Sequence, residues 1–160
     1  EVVQTLGVPH VMVFERAPSP GTLPDAAIRQ GVISLGGEYG GTGSVSRSGV
    51  KLVRQAVARL LAYFGVMGSL PPNLPQPRMM HIFGASAYVY ASEPGVFEAA
   101  TELGDEVQEG DLCGHMLFPD NPSRTPIAVV FEGAGEVVCK RQPGRAERGD
   151  CLAHLAAPVS

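Results

Sequence analysis

Glu38 is the residue of this 160-residue chain best placed for chemistry. It sits in the segment Gly36-Gly37-Glu38-Tyr39-Gly40-Gly41-Thr42-Gly43, directly after the apolar run 32–35. Glycines on both sides keep bulk away, so a substrate or metal can approach the backbone and the carboxylate stays accessible. A single Glu acts as general base when its geometry and proton affinity suit the task. A solvated turn residue fits the same spacing, and spacing alone leaves both readings open. Two nucleotide motifs are excluded. No Gly-Lys-Ser/Thr follows the glycines, and Gly41-x-Gly43 meets Ser46 where a third glycine belongs.

The second group is Cys113, His115, Cys151 and His154. Asp111 precedes His115 by four positions, as Asp150 precedes His154. Two thiols and two imidazoles are a chemically sound tetrahedral zinc set. Ordinary packing of alternating strand residues accounts for them too, and is the reading expected here. Tyr88 and Tyr90 share one face of a strand pattern and either reach a cleft or pack.

The elements that must position these residues change character near residue 70. Upstream, strand and helix signals alternate. Residues 8–15 are apolar and β-branched and predict a strand. Residues 23–30 predict a short helix, with Thr22 as N-cap and Gly31 at its end. Residues 32–35 predict a second strand, which would place Glu38 at its C-terminal end, where open α/β sheets gather ligands. Residues 47–64 predict the clearest helix. Val50, Val53, Val57, Leu60, Leu61 and Phe64 form one stripe, and Gly65 ends it. This order predicts an α/β unit with parallel strands, too small to close a sheet and therefore the end of a larger domain. Residues 66–77 carry Pro71, Pro72, Pro75 and Pro77 and predict a linker.

Downstream, short β-favouring runs at 79–83, 87–91, 95–99, 112–118, 127–132, 136–140 and 151–155 alternate with turns and predict a small all-β barrel or sandwich. Gly95, Gly104, Gly110 and Asp111 recur about 40 positions on as Gly135, Gly144, Gly149 and Asp150. Gly-Asp before an apolar strand is a tight-turn device, so the repeat predicts two interlocked halves about a pseudo-twofold axis.

Composition narrows the function. Apolar residues are 44% and net charge is -4, so the chain can form a core and has no basic excess for nucleic acid. No apolar stretch approaches the roughly 20 residues that span a bilayer. Three cysteines without CxxC spacing read as reduced thiols, and a cytoplasmic location is expected.

The downstream pattern, over about 87–156, resembles the biotinyl/lipoyl-type barrel-sandwich hybrid domain. Carrier domains of that type present a lysine on the hairpin between the halves. Here that stretch is 118–126, and the chain's lysines are Lys51 and Lys140. A scaffold is expected instead of a carrier.

The stretch Gly31-Val-Ile-Ser-Leu-Gly-Gly-Glu38-Tyr-Gly-Gly resembles the strand–Glu–Gly segment of the succinylglutamate desuccinylase/aspartoacylase family. The preceding 21–31 helix and the later Pro94-Gly-Val-Phe-Glu…Leu-Gly-Asp-Glu-Val…Gly-Asp-Leu fit as well. The nearest subgroup is similar to the N-acetyl-diaminobutyrate deacetylases. The resemblance implies an α/β fragment at 1–65 ending a zinc-carboxypeptidase-like domain. A linker at 66–77 and an all-β lipoyl-like barrel-sandwich hybrid domain at 78–160 would follow it. It implies a zinc hydrolase that cleaves the amide of small N-acyl amino acids. Glu38 would take a proton from zinc-bound water and pass it to the leaving amine, with Gly37, Gly40 and Gly41 as the wall of the site. The family's zinc ligands lie upstream of this glutamate, in a His-x-x-Glu motif and a later His that this chain lacks. Its single upstream histidine is His10. No metal ligand is therefore expected on this chain, and the chain alone is expected to be inactive. A homo-oligomer is expected, with no nucleic-acid or membrane partner. The competing function is a non-catalytic β-barrel scaffold or oligomerisation module.

Overall fold

The computed structural model describes residues 1–14, 17–41, 43–70 and 73–159. The chain divides into two compact units. The first comprises Glu1–Val11 and Arg16–Met79, the second Met12–Glu15 and Met80–Ser160.

The first unit begins with a single helical turn, α1 (Val2–Thr5). Strand β1 (His10–Phe14) follows and crosses into the second unit. The strand expected over 8–15 is thus shorter at its start, and Glu15 lies outside the described residues. Helix α2 (Leu23–Arg29) starts as its sequence dictates. The Thr22 hydroxyl accepts from the Asp25 N–H at 3.4 Å, and the Asp25 carboxylate accepts from the Gly21 N–H at 2.9 Å. Its end is a Schellman turn, with Gly31 at φ +68° and the Val32 N–H donating to the Ala27 carbonyl at 2.9 Å. Helix α3 (Arg47–Tyr63) is the long one. Ser46 caps it by accepting from the Gly49 N–H at 3.0 Å. Gly65 closes it at φ +68°, with the Val66 N–H bonded to the Leu61 carbonyl. Arg59 ties α1 to α3 by donating to the Leu6 carbonyl at 2.8 Å.

One expectation fails here. Residues 32–35 form no strand. A strand needs a neighbour to take its backbone groups, and no described strand lies alongside this run. Val32, Ile33 and Leu35 are exposed, Ile33 at 79%. The described registers in the molecule are antiparallel, so the parallel α/β sheet expected of 1–65 is absent among the described residues. The described part of 66–77 carries neither helix nor strand, and Pro71 and Pro72 of the expected linker lie outside it.

The second unit holds β2 (Arg78–Ile82, its first two residues in the first unit), a 3-10 turn at Ala85–Ala87, β3 (Tyr88–Tyr90), β4 (Gly95–Ala99), β5 (Glu106–Val107), β6 (Leu112–Leu117), β7 (Ile127–Val130), β8 (Gly135–Lys140), β9 (Arg145–Ala146) and β10 (Cys151–Pro158). One sheet runs β7-β6-β4-β9. The other runs β1-β2-β10-β8-β5, with β3 also on β10. About 40 residues forward takes β6 to β10 and β4 to β8, and about 40 back takes β7 to β3 and β9 to β5, so the order β7-β6-β4-β9 repeats as β3-β10-β8-β5. The two-residue strands β5 and β9 each cross to the other half, β5 pairing β8 and β9 pairing β4. The interlocked halves expected from the glycine repeat are therefore present in the pairing.

Three Gly-Asp turns set this register. Gly104, Gly110 and Gly149 have φ of +95°, +89° and +87°, which a type II turn requires at that position. Asp105, Asp111 and Asp150 lock the turns by accepting from the N–H of Glu102, Gln108 and Glu147, at 2.7–2.8 Å. Each turn then clasps one apolar residue of a distant segment, Val137, Phe131 and Ala91 respectively. The glycine N–H donates to that residue's carbonyl, and its N–H donates to the Asp carbonyl, all at 2.8–3.0 Å. The core lies between the two sheets. Phe131, Met116, Leu152, Leu155, Val137 and Cys113 are fully buried there.

Candidate functional site

Glu38 lies on an exposed loop with no regular structure and no hydrogen-bond or ion-pair partner among the described residues. The loop is seated on the start of α3. A Cβ at Gly49 would collide with the Tyr39 carbonyl, so only glycine at 49 lets this backbone pass. Immediately beyond, Gly41 and Ser44 form a β-bridge, with the Ser44 N–H donating to the Gly41 carbonyl at 3.0 Å and Gly43 at φ +69°. Thr42 of this segment lies outside the described residues. The wall glycines differ in what they permit. A Cβ on Gly37 would meet the Tyr39 ring at 2.6 Å, and one on Gly40 the Ser44 carbonyl at 3.1 Å. One on Gly41 would meet nothing within 4 Å. Glu38 is thus carried by a turn anchored to a capped helix, not by the end of a strand. Ser46 and Gly49 do the anchoring. Sequence reading missed them, although a serine before a helix with glycine three residues on was the available signal.

The cysteine–histidine group does not assemble. Cys113 is buried on β6, where desolvation, and secondarily the neighbouring Cys151, pushes its thiol up to about 11. Burial also raises Cys151, whose Sγ donates to the Ala153 carbonyl at 3.4 Å. His154 on β10 stacks on Tyr88 with ring centroids 4.0 Å apart, and Tyr88 stacks on Tyr90 at 6.0 Å. Its Nε2 is buried without a partner, and desolvation holds its pKa below the ordinary histidine value. Tyr88 and Tyr90 therefore form an aromatic column with a histidine. Among the described residues no three His, Cys, Asp or Glu side chains come together as a metal-ligand group. No disulfide joins Cys113, Cys139 and Cys151. Among the described residues no helix is long and apolar enough to cross a membrane.

No family model matches the chain. It is 25% identical over 161 residues to N-alpha-acetyl-L-2,4-diaminobutyric acid deacetylase of Halomonas elongata, covering 99% of this chain and 47% of that protein. The succinylglutamate desuccinylase/aspartoacylase structure from Rhodobacter sphaeroides matches with a TM-score of 0.87 and 29% identity, over 99% of this chain and 48% of that one. The product-bound ectoine utilization protein EutE (DoeB) from Ruegeria pomeroyi shares the fold, with a TM-score of 0.89 at 22% identity, over 98% and 47%. The chain spans about half the length of each of these relatives. Over nearly its whole length it is similar to about half the length of succinylglutamate desuccinylase/aspartoacylase family proteins, and their C-terminal half fits.

Proposed function

We propose that the chain is the C-terminal part of a hydrolase that deacylates small N-acyl amino acids, with Glu38 as its general base. The observation that carries this reading is the similarity of 98–99% of the chain to half of a deacetylase and of desuccinylase/aspartoacylase proteins. Its glycine-flanked carboxylate lies on a loop seated against α3. In this reading the Glu38 carboxylate takes the proton of the attacking water as it adds to the amide carbonyl. It then delivers that proton to the departing amine. Gly37, Gly40 and Gly41 line the approach. Zinc belongs to the family reading. The described residues of this chain do not form a ligand group for it. In this reading zinc is held by residues upstream of this chain, as the family resemblance implies.

Residues 1–65 are then the end of the catalytic α/β domain, 66–77 the linker, and 78–160 a lipoyl-like barrel-sandwich hybrid domain serving as scaffold. The pseudo-twofold pairing of the two sheets supports the last assignment. Three free cysteines support a reducing, cytoplasmic setting. Release of acetate from N-acetylated diaminobutyrate tests the reading. A polypeptide of the relatives' length that contains this chain is expected to catalyse it, and residues 1–160 alone are not. Turnover by residues 1–160 alone, or none by the longer polypeptide, would overturn the assignment.

A further inference from the structure

The glycines around Glu38 make its carboxylate accessible, and they also loosen the backbone that carries it. Glycine visits more backbone conformations than any other residue, whereas a misplacement of about 1 Å at a reacting group costs about 10²-fold in rate. Between Gly36 and Gly41 only Glu38 and Tyr39 carry side chains. Tyr39 is half-buried, although Glu38 before it and Gly40 after it are exposed. Two contacts hold it. Its ring lies against Gly37, where a Cβ would stand 2.6 Å from Cε2 and 3.0 Å from the phenol oxygen. Its carbonyl lies against Gly49 of α3, where a Cβ would collide with the oxygen. Neither Gly37 nor Gly49 has a positive φ, so both positions use the empty space of glycine and not its conformational freedom. The helix end of this clamp is itself fixed, because the Gly49 N–H donates to the Ser46 hydroxyl at 3.0 Å.

We propose that Tyr39 is the positioning residue of Glu38, an inference that rests on the reading of Glu38 as general base. Its ring fixes the backbone on the N-terminal side of the carboxylate, and its carbonyl fixes the C-terminal side against α3. The carboxylate between them has no partner among the described residues and stays free for a substrate. The phenol oxygen makes no hydrogen bond among the described residues. The ring therefore acts by apolar contact with the Gly37 main chain, and phenylalanine can replace it. Gly37 gains a second duty from this arrangement. It is the seat of the Tyr39 ring as well as part of the wall of the site, and a methyl group there would push the ring away.

Proton NMR of the 160-residue chain reads the geometry without any hydrolysis. An aromatic ring against Gly37 moves its α-proton signals upfield. The upfield shift should be present in wild type and in Tyr39→Phe, and lost in Tyr39→Ala. Kinetics on an N-acetylated amino acid, in a polypeptide of the relatives' length, read the role. Tyr39→Ala and Gly37→Ala should each lower kcat about tenfold to 10²-fold with KM little changed, and Tyr39→Phe should keep the wild-type rate. In a Glu38→Gln background Tyr39→Ala should cost nothing further, because it acts through the carboxylate that is already gone. A merely structural tyrosine would lower the rate of Glu38→Gln again. Gly37→Ala keeps the tyrosine and fills its seat, so it decides the matter if Tyr39→Ala does not fold. An absent upfield shift in wild type, additive losses in the double variant, or Tyr39→Ala or Gly37→Ala at the wild-type rate beside an impaired Glu38→Gln would overturn the proposal and leave Glu38 as the base. Wild-type turnover by Glu38→Gln would overturn both.

Discussion

The two units solve the burial problem to very different degrees. The β unit surrounds its core with two sheets and leaves Phe131, Met116, Leu152 and Leu155 essentially without solvent. In the first unit, the 17-residue helix α3 has only Gly49 and Ala56 buried, while Leu23, Ile28, Ile33, Val45 and Phe64 stand exposed. The first unit carries helix caps as good as any in the molecule, so its openness does not come from weak local signals. Local signals specify an element, and covering its apolar face takes a second surface. The proposed catalytic residue belongs to the open unit.

The largest effect that sharpens this contrast is core truncation. Phe131→Ala or Leu155→Ala should cost about 3–5 kcal/mol in chemical denaturation. Val57→Ala on the open face of α3 should cost no more than about 0.5 kcal/mol. Similar losses at both places would erase the distinction between the units. Next is Gly49→Ala. Its methyl group collides with the Tyr39 carbonyl, so it should destabilise the first unit by about 1–3 kcal/mol and displace the loop that carries Glu38. Gly41→Ala, with open space around it and no positive φ, is the control and should be close to neutral. Smaller still is the turn lock. Asp111→Ala frees the Gln108 N–H and should cost about 1 kcal/mol in thermal unfolding.

The last prediction concerns pH. His154 is buried with an orphaned Nε2, and its pKa is lowered in the folded state. The unfolded chain therefore takes up the proton first. The contribution of His154 is fully present above the unfolded histidine value near 6.5. It is lost as pH falls from there towards the lower folded value. Its register partners are Tyr88 on β3, on which it stacks, and Cys139 on β8. The stability of His154→Phe, which keeps the stack on Tyr88, should lose this slope below pH 6.5. An unchanged slope would assign the acid sensitivity elsewhere.

Which features were legible in the sequence follows from what is local. Thr22, Gly31 and Gly65 set helix ends that depend on a few neighbouring residues, and they sit where expected. Gly104, Gly110 and Gly149 with their aspartates announced the turns, and their spacing announced the two halves. The strands β5 and β9 were missed because two residues show no periodicity. They exist only through partners β8 and β4, about 30 to 50 positions away. The strand expected at 32–35 failed for the converse reason, since the run is apolar but nothing described pairs with it. The loop that carries Glu38 was marked by its glycines. Its seat on Gly49 was not, because a Cβ collision with a carbonyl ten residues away is a property of packing.

The central claim rests on one carboxylate. In a polypeptide of the relatives' length that contains this chain, Glu38→Gln keeps the shape and removes the base. Steady-state kinetics on an N-acetylated amino acid should show kcat reduced about 10²–10⁴-fold with KM little changed. A Glu38→Gln enzyme that turns over at the wild-type rate would contradict the account.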